Sequence, residues 1–76
     1  MKEKLAKFFE QELVYTRVGL LNETDPDQRT AIYWDAVQRG WGAAQFAQVC
    51  GMRFLDVAPM FEQFKTALED LCDEVR

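Results

Sequence analysis

Nine residues near the C-terminus, Val57, Met60, Phe61, Phe64, Ala67, Leu68, Leu71, Cys72 and Val75, recur at intervals of three and four. An α-helix is the backbone that brings such positions onto one side. Glu62, Lys65, Glu69, Asp70, Asp73 and Glu74 fall mainly opposite, so the spacing predicts an amphipathic helix over 57–75. At 1.5 Å per residue it would be about 28 Å long. A stripe of that length needs apolar partners along it, and in a chain of 76 residues those partners must be most of what remains.

The rest of the chain supplies them as helices. Leu5, Phe9 and Leu13 stand four apart, with Phe8, Val14 and Val18 widening the apolar side, which predicts a helix over 2–20. Its second half, LVYTRVG, has strand-like composition, but no second such run exists to pair with it. Gly19 and Asn22 offer left-handed positions for its end. In NETDPDQ, Asp25 reads as N-cap, Pro26 as first helical residue and Gln28 as capping-box partner, opening a helix over 26–39 that Gly40 closes. Ile32, Tyr33, Ala36 and Val37 form its inward side, with Trp34 at the edge. RGWG is then a tight connection to a short helix over 43–50, stopped by Gly51. The expected fold is all-α, a compact four-helix domain without repeats or linkers.

Ala47, Gly51 and Val57 stand four and then six residues apart, with Phe46, Cys50, Met52 and Met60 around them. This order resembles the helix-turn-helix family, in which a small residue packs at the helix crossing, a glycine makes the turn and an apolar residue anchors the second helix. The resemblance covers residues 43–62 and implies a helix-turn-helix-like third and fourth helix pair. It also implies a DNA-binding transcriptional regulator as one function, with Arg53, Gln63 and Lys65 reaching the duplex and the basic N-terminus touching phosphate. Pro59 bears on the register. Six residues into a helix begun at Phe54 it would cost about 3 kcal/mol, whereas with Asp56 as N-cap it becomes the third helical residue and the turn lengthens to GMRFLD.

Charge argues for a protein partner instead. Thirteen Asp and Glu against nine Lys and Arg leave a net charge of -4, and affinity for phosphate backbones comes chiefly from cations. The start of the last helix offers Asp56, Val57, Ala58, Met60, Phe61, Glu62 and Gln63, a poor set for reading base edges. The two ends of the chain differ in sign: Lys2, Lys4 and Lys7 against Glu3 at one, Glu69, Asp70, Asp73 and Glu74 against Arg76 at the other.

No catalytic or metal chemistry is read from this composition. There is no His, Cys50 and Cys72 are far apart in sequence and read as small buried hydrophobes, and neither a calcium loop nor a phosphate-cradling glycine loop occurs. No cofactor and no enzymatic activity are therefore expected. Lys2, Glu3, Lys4, Lys7 and Glu10 interrupt any apolar run at the start, and no segment approaches the roughly 18 apolar residues of a membrane span. The chain is expected in the cytoplasm, off the membrane, with reduced thiols.

Two groups of residues are candidates for partner binding. Arg53, Phe54 and Leu55 lie in the turn before the last helix, and arginine beside aromatic residues is the composition of binding hot spots. Trp41, between two glycines, either plugs a gap between helices or joins that surface. Glu69, Asp70, Asp73 and Glu74 are either a solvated helix face or a surface for a basic partner. The function these features imply is a small acidic protein-protein interaction module that binds and modulates or inhibits another protein, of the kind a phage or plasmid encodes against a host factor, as anti-CRISPRs are. The apolar surplus of the 57–75 stripe further implies a homodimer.

Overall fold

The computed structural model describes residues 1–75, which form three helices in up-down-up order: α1 (Lys2–Asn22), α2 (Pro26–Val49) and α3 (Phe54–Glu74). They lie side by side in a bundle 40 Å long and 16 to 17 Å across. The long dimension follows from α2, whose 24 residues rise about 36 Å.

The expected second and third helices are one continuous helix, because Gly40 is a packing position and not a stop. The Phe64 ring of α3 lies so close that a Cβ at Gly40 would stand 2.9 Å from Cδ2, and closer still to Cε2. Gly40 is buried with Ala36, Ala44 and Ala47 along one side of α2. Large residues of α2, Trp34, Trp41, Phe46 and Val49, are exposed. The inward side is thus built from small residues, while the expected Ile32, Tyr33 and Val37 are only half-buried at its margins. This thin side lets α1 and α3 close over it, and Phe9 of α1 stacks on Phe64 with ring centroids 4.6 Å apart. Leu5, Phe9, Val57, Phe64 and Leu68 complete the core.

Asp25 caps α2 as expected, accepting from the Asp27 amide at 3.0 Å, with Pro26 in the first turn. The reciprocal bond comes from Glu23 rather than Gln28: its Oε1 accepts from the amides of Thr24 and Asp25, both at 3.1 Å. α1 runs past Gly19 to Asn22 and ends at extended Glu23. Its last carbonyls are taken by Arg29, whose Nη2 donates to Leu20 O and to Val75 O, both at 2.9 Å, and whose Nε donates to Glu23 O at 2.7 Å. One guanidinium therefore ties the C-terminal ends of α1 and α3 to the first turn of α2.

α2 ends in a Schellman arrangement. Gly51 takes φ 105, the one positive φ among the described residues, the Met52 amide donates to Ala47 O and the Gly51 amide to Gln48 O. Cys50 lies exposed at this end, not buried, and Cys72 is half-buried. α3 then begins at Phe54 with Arg53 as N-cap, earlier than the register expected from Pro59. The early start gives the amides of Asp56 and Val57 a shared acceptor in Arg53 O, at 3.0 and 3.1 Å, and aligns Val57, Phe64, Leu68 and Leu71 on the core. Pro59 is tolerated inside the helix because it and Leu55, whose carbonyl it leaves without an amide, are on the solvent side.

Candidate functional site

The elbow between α2 and α3 exposes large apolar side chains. Val49, the last residue of α2, is 83% exposed, and Phe54 and Leu55, the first two of α3, are 60% and 77% exposed. They stand outside because the buried line of α3 starts at Val57, and Phe54 and Leu55 precede it. Trp41 does not plug a gap. It sits mid-helix, 46% exposed, with its ring edge-on to Phe61 at 5.3 Å. Phe54 stands two turns before Phe61 on the same side of α3, so Phe54 and the Trp41–Phe61 pair follow one flank of that helix. Arg53 reaches out beside them, its side chain 80% exposed and its Nε 3.3 Å from Asp56 Oδ2. An exposed pair of this kind is weak and gives way readily to a partner's carboxylate.

Val49 has no apolar period to flag it, and Phe46 reads as part of an apolar side. The signal for both is the line of small residues Ala36, Gly40, Ala44 and Ala47, which turns them outward. Phe46 lies about 140° around α2 from Trp41 at 100° per residue, so it belongs to the other flank.

The four acidic candidates lie at the far end of α3, about 22 to 30 Å from Phe54 by helical rise. The eight candidates therefore form two places. Glu69 and Asp73 border an open groove of about 650 Å³ against α2, beside Tyr33, Thr30 and Cys72. Asp70 and Glu74 border a shallower groove against α1, where Glu74 lies 3.7 Å from Arg17. The Tyr33 hydroxyl is 3.5 Å from Glu69 Oε1. Burial, then the Glu69 carboxylate and Cys72, push the Tyr33 hydroxyl above a tyrosine's ordinary value.

The antiparallel course of the chain sorts charge lengthwise. Lys2, Lys4, Lys7 and Arg53 stand at the elbow end against Glu3 and Asp56, and Glu23, Asp25, Asp27, Glu69, Asp70, Asp73 and Glu74 at the opposite end against Arg17 and Arg29. Gln63 and Lys65, two residues apart, project from different sides of α3 and do not converge with Arg53 on one groove-reading face. Among the described residues no cluster of three metal-ligating side chains occurs, and no helix is long and apolar enough to cross a membrane. No family model, curated protein or solved structure matches the chain.

Proposed function

We propose that this chain is a protein-binding module that docks through its elbow on another protein and modulates or inhibits it by occupying that surface. The observation that carries this reading is the concentration of exposed Trp41, Val49, Phe54 and Leu55 beside a loosely held Arg53. Exposed aromatic and aliphatic side chains around an arginine make a small hot-spot core, since their burial by a partner removes apolar area from water at about 25 cal/mol per Å². The lysines at the same end suit a partner whose apolar groove has an acidic rim.

The experiment is capture of a partner from extracts of the native host, followed by titration of that partner with folded variants. Arg53→Ala and Phe54→Ala are expected to weaken binding by at least about 1 kcal/mol each, a factor of five or more, with unchanged helical circular dichroism. Unchanged affinity in both variants removes the elbow from the site. Sub-micromolar, sequence-selective binding to duplex DNA at physiological salt would instead favour a regulator.

A further inference from the structure

Lys4, Lys7, Gln11, Val14, Val18 and Leu21 stand alternately three and four residues apart on α1, and all six are exposed. That spacing is the seam along which two helices pack. Neither α2 nor α3 occupies it, because α1 turns Leu5, Phe9, Thr16 and Leu20 to the core on its other side. Val14, Val18 and Leu21, with the adjoining Tyr15 at 70% exposure, leave the outward side of the helix's second half apolar. The stripe of α3 from which self-association was expected is turned inward, so the apolar surplus lies here and at the elbow.

We propose that this side of α1 docks on the same side of a second copy, the two helices antiparallel with Val14 of each chain opposite Val18 of the other. Charge fixes the direction. Parallel pairing would set Lys4 on Lys4 and Lys7 on Lys7, whereas antiparallel pairing separates them. The register follows from matching apolar residues. With Val14 opposite Val18, Gln11 meets Leu21, and Lys7 reaches just past the end of the other copy's α1 at Asn22, where the turn holds Glu23, Asp25 and Asp27. Sliding the helices until the stripes overlap end to end would instead seat Lys7 on Val18 and Lys4 on Leu21, cation on apolar surface. Arg29 already holds the carbonyls at the end of α1, so what the lysines of the second copy meet is the carboxylates of the following turn, Glu23, Asp25 and Asp27. Arg17, beside the seam, is balanced by Glu74 of its own chain. This contact is separate from the elbow and stands independently of it.

Sedimentation equilibrium of the intact chain from micromolar to millimolar concentration tests the proposal. The apparent mass should rise from 8.9 kDa toward twice that value. Val18→Lys should hold it at the monomer value with unchanged helical circular dichroism, and Lys4→Glu with Lys7→Glu should weaken the dimer about tenfold. A single monomeric species throughout overturns the proposal, as does a dimer indifferent to Val18→Lys. Direction is read from oxidised mixtures of Val14→Cys and Val18→Cys chains that also carry Cys50→Ser and Cys72→Ala. Cross-links joining one variant to the other should exceed those within each; an excess of self-links means parallel packing and contradicts it.

Discussion

Thr16 is the buried polar residue of the core among the described residues, 2% exposed, and its hydroxyl has no hydrogen-bond partner among them. Leaving such a group unpaired costs about 1 to 3 kcal/mol. Thr16→Val keeps the shape, removes the hydroxyl and is expected to raise stability by about 1 kcal/mol in urea denaturation. A loss of stability would mean that the hydroxyl is bonded in solution. Tyr33 makes the opposite kind of contribution. Because its hydroxyl is held above the ordinary value of 10.0, the unfolded chain releases that proton first. The folded state then binds more protons, so this stabilisation is complete below the ordinary value and is lost as pH rises through it toward the folded one. Stability measured between neutral pH and about pH 11 should fall less steeply in Tyr33→Phe than in the parent.

At the scale of elements, α2 holds its small residues inside and its large ones outside. Glycine to alanine in a helix interior normally gains about 1 kcal/mol. Gly42 has nothing within 4 Å of an added Cβ, and Gly42→Ala should show that gain. Gly40→Ala should instead cost about 1 to 3 kcal/mol, because the added methyl meets a Phe64 ring already stacked on Phe9. Thermal or denaturant midpoints moving in the same direction for both variants would contradict this packing. Arg29 sets the other constraint. Arg29→Ala removes the guanidinium donor from the Glu23, Leu20 and Val75 carbonyls, of which Leu20 O keeps the Glu23 amide at 3.4 Å, and should cost about 2 kcal/mol; Arg29→Lys should recover little, since an ammonium lacks the planar fork. These two features mark the limit of what the sequence discloses. The stripe of α3 is legible because large residues carry its period, and the Asp25-Pro26 start because capping is local. Gly40 reads as a helix stop because its reason for being glycine lies 24 positions away in Phe64, and Arg29 reaches Val75 across 46.

For the whole molecule, three helices bury only one side each, so a chain with 49% hydrophobic residues must leave some outside. Arg53, Phe54 and Leu55 are legible as candidates because they precede the α3 stripe; Val49 is not, since its exposure follows from which side of α2 is thin. The antiparallel course then sets an excess of cations beside the apolar elbow and an excess of carboxylates at the other end, a division invisible to net charge. The two ends make competing predictions about where a partner sits. Amide hydrogen exchange, with and without the captured partner, separates them directly. The amides of Phe54 and Leu55 precede the first bonds of α3, those of Asp56 and Val57 to Arg53 O, and should exchange readily in the free chain, which makes them sensitive reporters. Binding should slow exchange across residues 49–58 and leave 69–74 unchanged. Protection confined to 69–74 would contradict the elbow and place the partner on the acidic end.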